Sequence, residues 1–422
     1  MERIPIAIPT LFGVEAVAAR ELKRLGIQQV HADTGRVYGQ ARPEDIPRIN
    51  INLRTGERVQ ILLGTFPVHS FDELFEGTKA LPWEDYIPLD GAFPVKGHCL
   101  DSQLRSEPAC QSIVKKAVAE RLGKAYGHNQ LPEGGPLYQI QFALLRDRVS
   151  LLLDTSGLGL YKRGYREAGV IAPLRETLAA ALVLLSHYHG QDLFCDPCCG
   201  SGTIPIEAAL IALNRAPGLD RRFAAQKWPW LPGSVWSQAV EEALDQEYTG
   251  TYAIWGGDID PHAVRLAQRN AAQAGVENQI HFEVADASTF RRRAPAGRIV
   301  TNPPYGERLL SSEETSRLYQ AMSAAFSQLA AGWSVHILTA YPDFEFCWGR
   351  NADKRRKLYN GMLKCQFYSY IRPIPADQTP PQKPSGLSPH QAKPTKRTHF
   401  PNPQQPPPSP PMGKPTKQNA NK

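Results

Sequence analysis

Asp196-Pro197-Cys198-Cys199-Gly200-Ser201-Gly202-Thr203 lies between a short apolar run at 193–195 and a helical stretch at 204–213. A strand, a glycine turn and a helix in that order predict the first crossover of a parallel α/β sheet, with a ligand at the strand's carboxyl end. Gly200 and Gly202 let the backbone turn sharply and come close to a ligand. A nicotinamide-type loop asks for a third glycine at 205, where this chain has Pro205, and phosphate is repelled by a nearby Asp196. The D-x-x-x-G-x-G form suits a zwitterionic cofactor without phosphate, such as S-adenosylmethionine. A glycine turn holding nothing is the alternative. Cys195, Cys198 and Cys199 form a C-x-x-C-C run, but no second cysteine pair or H-x-x-x-H stands at zinc spacing. They are read as small residues lining the turn, and no metal is expected.

Downstream, long helical patterns alternate with short apolar runs at 252–255, 280–284, 298–300 and 334–339, each ending in a polar loop. This alternation predicts a mostly parallel sheet covered by helices on both faces. At the second strand end stands Gly256-Gly257-Asp258-Ile259-Asp260-Pro261. A carboxylate at Asp258 can accept both ribose hydroxyls of an adenosyl group, with Ile259 beside it. Asp260, before Pro261, has the pattern of a helix N-cap. The third strand ends in Asp286-Ala287, placed for an adenine amino group. The candidate cofactor-binding residues of these loops are Asp196, Cys198, Gly200, Gly202, Thr203, Asp258, Ile259, Asp286 and Ala287.

The fourth strand runs into Thr301-Asn302-Pro303-Pro304-Tyr305-Gly306. An exocyclic amine on a base is a poor nucleophile because its lone pair is delocalised into the ring. Two acceptors, the Asn302 side-chain oxygen and the Pro303 carbonyl, can bind its two N–H groups and favour a pyramidal nitrogen aimed at a methyl donor. Pro303 and Pro304 stiffen the loop, so little ordering is left for the reaction. Tyr305 offers a ring for an unstacked base. Asn302, Pro303, Pro304 and Tyr305 are the candidate catalytic residues, and Asn302 also borders the cofactor. Asp196 and Asp258 are widely separated for consecutive strands, so 214–250, with Trp228, Trp230 and Trp236, is an excursion from the sheet. Its Arg221, Arg222 and Lys227 beside aromatics fit either RNA contact or surface packing.

The first 160 residues mix strand-like runs (4–8, 59–65, 93–95, 138–143, 149–154) with helical ones (12–26, 71–81, 108–122), an α+β pattern. From Ala376 onward the chain has thirteen prolines in 47 residues and few large apolar side chains, the composition of a disordered tail. Six units of the net charge of +7 fall in this tail, so overall charge says little about the folded body. The tail is read as solvated, or as an electrostatic arm on RNA phosphates. Seven cysteines at irregular spacing, no apolar run of membrane-spanning length and no signal-peptide layout predict a cytoplasmic protein without a membrane.

These motifs resemble the class I methyltransferases acting on amino groups. More narrowly, the chain is similar to the bacterial THUMP-containing 23S ribosomal RNA guanine-N2 methyltransferases. The likeness rests on Phe71-Asp72-Glu73-Leu74-Phe75-Glu76-Gly77, the stretch 157–166 ending Lys162-Arg163-Gly164-Tyr165-Arg166, and Ala172-Pro173-Leu174-Arg175-Glu176-Thr177-Leu178-Ala179. It continues through Lys227-Trp228-Pro229-Trp230 and the extended loop Thr301 to Arg308 and Leu309. The resemblance implies a ferredoxin-like segment at 1–50, a THUMP RNA-binding domain at 51–160, a Rossmann-like methyltransferase domain with a seven-stranded sheet at 161–375, and the tail at 376–422. It implies that Pro173 and Thr177 help hold the cofactor, and that 161–166 links RNA binding to the active site. Lys162, Arg163, Tyr165, Arg166, Lys227 and Arg308 are then the candidate RNA contacts. The expected partner is 23S rRNA or a ribosomal assembly intermediate, with tRNA as alternative. Some relatives carry a fused second methyltransferase domain; here the tail stands in its place. Methylation of DNA adenine or protein glutamine, and a non-catalytic RNA-binding assembly factor or scaffold, are the competing readings.

Overall fold

The computed structural model describes residues 3–166, 174–305 and 311–371. The expected tail, Pro173 and Arg308 lie outside them. The first sheet is built from β1 (Ile4–Pro9), β2 (Gln28–Asp33), β3 (Arg36–Ala41), β4 (Gln60–Pro67), β5 (Val95–Leu100), β6 (Ile140–Leu145) and β7 (Arg148–Asp154), in the order β2-β3-β1-β4-β7-β6-β5. Helices α1 (Glu15–Arg24), α2 (Asp45–Asn52), α3 (Phe71–Lys79) and α4 (Glu107–Tyr126) accompany it. Val17 and Leu22 of α1 are buried as their spacing predicts, and Gly26 follows the helix in a left-handed conformation. The boundary expected at residue 50 falls inside α2, and β1 pairs with β4 across it, so the two N-terminal modules share one sheet.

The strand expected at 93–95 instead runs Val95–Leu100 through Gly97. Gly97 faces Phe142 in the register, and a Cβ there would meet the Phe142 ring at 2.3 Å. The ring fills the space that a side chain would take, so this glycine belongs to the strand and does not break it.

The second sheet comprises β8 (Leu193–Asp196), β9 (Ile254–Asp258), β10 (Ile280–Val284), β11 (Ala296–Thr301), β12 (Gly332–Thr339), β13 (Lys354–Asn360) and β14 (Leu363–Ile371), ordered β10-β9-β8-β11-β12-β14-β13. Five strands are parallel and the β13–β14 hairpin joins antiparallel to β12. The strand order reverses at β8, with β9 and β10 on one side and β11 on the other, which makes the switch point at which α/β sheets bind ligands. Helices α5 (Glu176–Leu185), α6 (Thr203–Ala212) and α8 (Pro261–Gln273) pack in one apolar cluster; α9 (Ser312–Ser327) and α10 (Phe344–Trp348) pack in another. No helix among the described residues is long and apolar enough to cross a membrane.

The excursion between β8 and β9 includes α7 (Gly233–Asp245) and packs into the core of the N-terminal sheet. Trp228 stacks on Tyr138 with centroids 4.7 Å apart and donates its indole N–H to the Leu137 carbonyl at 2.9 Å. Trp230 donates to the Tyr86 carbonyl at 3.1 Å. Arg221 donates to the Leu158 carbonyl and lies over the Phe223 ring. Of the two readings of this excursion, packing accounts for its aromatics and Arg221, while Lys227 is exposed.

Candidate active site

Parallel register brings the four motif-bearing strand ends to one edge: Asp196 lies opposite Gly256, and Val284 opposite Asp258. Past β8 the chain turns through Gly200 and Gly202, both at positive φ (52° and 80°). A Cβ on Gly202 would stand 2.8 Å from the Ala267 Cβ, so α6 and α8 approach only over a glycine. A Cβ on Gly200 would meet nothing within 4 Å; that side of the turn is open. The Gly200 N–H donates to the Asp258 carboxylate at 2.9 Å, tying the first loop to the second.

Asp196 is buried. Its Oδ1 accepts from the Thr301 hydroxyl at 2.6 Å and from the Cys198 N–H at 3.1 Å. Its Oδ2 is buried with no hydrogen-bond partner. Burial pushes this carboxyl up to about 7; the two donors pull it down and the Asp258 charge adds to the rise. A buried carboxylate oxygen without a partner is costly. It fits the ammonium of an amino-acid-type cofactor. Asp258 also accepts the Asp260 N–H at 3.0 Å, and Ile259 beside it is 70% exposed, an apolar surface left uncovered at the sheet edge. Asp260 accepts the His262 N–H at 2.8 Å and caps α8 as its place before Pro261 predicts. Asp286 is exposed and accepts the Ser288 N–H at 2.8 Å; Ala287 is buried. Cys195 and Cys199 are buried and Cys198 half-buried. Among the described residues no three His, Cys, Asp or Glu side chains are grouped to hold a metal.

The loop after β11 is held from behind. The Asn302 amide nitrogen donates to the Leu338 carbonyl at 3.0 Å. A carbonyl only accepts, so the amide's NH2 must face it and its oxygen must face the other way. The Asn302 side chain also bonds the Tyr305 hydroxyl, and among the described residues no backbone N–H donates to the Pro303 carbonyl. The Pro304 carbonyl accepts from the Tyr319 hydroxyl at 3.1 Å, and that hydroxyl also pairs with Thr339 at 2.8 Å. Tyr305 is half-buried; its hydroxyl accepts from the Asn360 side chain at 3.2 Å and sits near Cys365. Burial raises the Tyr305 phenol.

Several expected contacts take other roles. Arg163 and Tyr165 are buried, which corrects their assignment to the RNA surface. Arg163 donates to the Leu160 and Arg54 carbonyls and pairs with Glu207 of α6, and Tyr165 donates to Glu207 at 3.1 Å. Buried charges persist where they are paired and hydrogen-bonded, so this segment ties α6 to the N-terminal unit through Glu207 and the Arg54 carbonyl. Arg166 donates to the Leu174 carbonyl and to Thr203 and pairs with Glu176. Thr177, expected to hold the cofactor, is buried and donates its hydroxyl to Glu57 at 2.5 Å; Arg175 pairs with the same carboxylate at 2.7 Å. Thr177 therefore anchors α5 to the N-terminal unit. Lys162 is exposed. Thr301, Leu338, Asn360 and Glu57 carry contacts that motif reading had not singled out; the strand-end position of Thr301, next to Asn302, was the available signal.

Residues 5–60 match the RlmL ferredoxin-like domain, 68–154 the THUMP domain, and 163–369 the "RMKL-like, methyltransferase domain". The chain is 42% identical to "Putative RNA methyltransferase YpsC" of Bacillus subtilis over 381 residues, covering 88% of this chain and 98% of that protein. The chain belongs to the THUMP-containing RMKL-like methyltransferase family. It is 32% identical to "Ribosomal RNA large subunit methyltransferase K/L" of Allochromatium vinosum, covering 87% of this chain but only 53% of that protein; against the K/L relatives it spans about half their length. Among solved structures, "a predicted N6-adenine-specific DNA methylase" of Listeria monocytogenes is 44% identical with a TM-score of 0.83, covering 88% of this chain and 97% of that one. SMU.472, "a putative methyltransferase complexed with SAH", is 39% identical with a TM-score of 0.84, covering 89% and 99%. The class I fold and the use of S-adenosylmethionine follow from this family.

Proposed function

We propose that the protein transfers a methyl group from S-adenosylmethionine to the exocyclic N2 amine of a guanosine in RNA, with 23S rRNA as substrate. The observation that carries this is Asn302: its amide nitrogen is tied to the Leu338 carbonyl, which turns its oxygen away from that strand. Two fixed acceptors suit the two N–H groups of a planar amine. Their alignment before substrate arrives is the source of rate enhancement, since no reorganisation is needed as charge shifts at nitrogen.

On this reading Asp196 Oδ2 takes the cofactor's ammonium and Gly200, Cys198, Gly202 and Thr203 shape the floor of its site. Asp258 accepts the ribose hydroxyls through lone pairs that its backbone contacts leave open. Ile259 lies against the adenine, and Asp286 with the Ala287 amide reads its edge. The cofactor supplies an electrophilic methyl on a sulfonium. Asn302 and Pro303 hold the amine, Pro304 stiffens their loop, and Tyr305 borders the base.

The THUMP match favours RNA over the DNA substrate named for the Listeria relative. The name of the K/L relatives connects them with large-subunit ribosomal RNA, which favours 23S rRNA as the substrate. Exposed Lys162 and Lys227 remain candidate RNA contacts on the body. The test is mass-spectrometric comparison of modified nucleosides in rRNA and tRNA from cells with and without the gene. Loss of N2-methylguanosine from rRNA is expected; loss from tRNA alone moves the substrate, and unchanged RNA with hypomethylated DNA or protein overturns the reading.

A further inference from the structure

The last hairpin of the methyltransferase sheet has features that the fold alone does not require. Its outer strand, β13, is the sheet edge and opens with four exposed cations, Lys354, Arg355, Arg356 and Lys357. Arg355 is paired with Glu345 at 2.8 Å, whereas Lys354, Arg356 and Lys357 have no carboxylate partner among the described residues. Arg356 donates to the Gly13 carbonyl at 3.0 Å, so the cationic strand lies against the N-terminal unit. Further along, Lys357 stands 5.4 Å over the Tyr359 ring, and Tyr359 meets Phe12 edge-on at 5.8 Å. Phe12 is 52% exposed. The strand ends at Asn360, whose side chain bonds Tyr305 of the substrate loop. The turn then presents Met362, 98% exposed, and Leu363, 48% exposed.

Lysines on an edge strand commonly serve only to prevent pairing with other strands. That role explains neither an apolar tip nor its position. A guard against aggregation gains nothing from an exposed methionine, and this tip adjoins the loop proposed to hold the reacting amine. Enzymes that act on a base must take it from its stack, and apolar side chains commonly fill the gap. Cations interleaved with aromatic rings suit a nucleic-acid strand, which offers phosphates and base faces alternately.

We propose that the β13–β14 hairpin is an RNA-engaging arm: Lys354, Arg356 and Lys357 follow the phosphates, and Met362 and Leu363 support the stack vacated by the target base. The arm rests on the reading of RNA as substrate. Charge complementarity commits it to a polyanionic strand, and the aromatic and apolar groups to one with accessible bases.

The test uses the full chain with Lys354→Gln/Lys357→Gln and, separately, Met362→Ser. All three side chains are exposed, and unchanged melting temperature and S-adenosylmethionine affinity check the fold. Binding to a labelled single-stranded RNA is measured across a salt series, and methyl transfer on rRNA from cells lacking the gene. The double variant should bind about three- to tenfold more weakly at low salt, with the slope of log affinity against log salt reduced by roughly 1–2. Met362→Ser should leave that slope unchanged and slow transfer to structured rRNA roughly tenfold. A parent that methylates RNA while both variants match it in affinity, slope and transfer overturns the arm alone. A parent that neither binds nor methylates RNA overturns the arm together with the RNA reading.

Discussion

The Thr301 hydroxyl donates to the Asp196 carboxylate at 2.6 Å, joining the loop proposed to hold the substrate amine to the one proposed to hold the cofactor's ammonium. Asp196 sits at the end of β8 and Thr301 at the end of β11, neighbours in the parallel sheet. The bond leaves the second Asp196 oxygen, buried and without a partner, to meet whatever binds there.

Thr301→Val removes that donor from a buried carboxylate. Hydrogen bonds to charged groups contribute about 1.5–3 kcal/mol, so S-adenosylmethionine affinity should fall on the order of tenfold or more at neutral pH. Thr301→Ser should restore most of it. Calorimetric titration of the three proteins checks this; equal affinity of the valine variant would remove Thr301 from the account.

The Asp196 carboxyl, raised by burial to about 7, gives the cofactor's effect a definite pH sign. A carboxyl whose folded pKa lies above its unfolded value holds its proton more tightly when folded. Its protonated form therefore favours the fold at low pH, and this contribution is lost as pH rises from the unfolded value through about 7. An ammonium on the carboxylate reverses the loss. The increase in melting temperature on adding S-adenosylmethionine should be larger at pH 8 than at pH 6, and Asp196→Asn should flatten the difference.

The proposed sites could be placed from the chain because each motif is a contiguous turn: Asp196 to Gly202, Asp258 and Asn302 needed only the strand ends to converge, and they do. Elements whose role depends on distant partners could not be. The strand expected at 93–95 runs on through Gly97, where the Phe142 ring fills the Cβ space. No strand was expected at 354–357, because an edge strand needs no apolar alternation, and β2 is polar and largely exposed for the same reason. Arg163 and Tyr165 looked like surface RNA contacts because sequence does not reveal Glu207 waiting in the core. Thr177 was assigned by its neighbours in sequence, while its partner Glu57 lies 120 residues away.

That correction can be measured. Tyr165→Phe removes a buried donor to Glu207 and should cost about 1–3 kcal/mol in denaturant unfolding while leaving RNA affinity unchanged. A loss of RNA affinity at unaltered stability would return Tyr165 to the surface role.

Trp228 is 1% exposed and bonds the excursion to the N-terminal sheet through Tyr138 and Leu137. Trp228→Ala should destabilise by about 3–5 kcal/mol. Because the contact joins the methyltransferase domain to the N-terminal sheet, its variant should unfold in two transitions by calorimetry, whereas the parent should show them merged. One sharp transition at the parent's temperature would show that the tryptophan holds nothing together.

The loop from Asn302 to Tyr305 is the point on which the chemistry turns. Asn302→Ala keeps the Asp196, Asp258 and Gly200 contacts and removes one of the two acceptors for the amine. The decisive measurement is single-turnover methyl transfer to rRNA from cells lacking the gene, beside cofactor affinity, for the parent and this variant. The account predicts N2-methylguanosine with the parent, a loss on the order of 100-fold or more with Asn302→Ala, and nearly equal cofactor affinity. Full turnover in the variant, or a collapse of cofactor affinity in place of turnover, would contradict it.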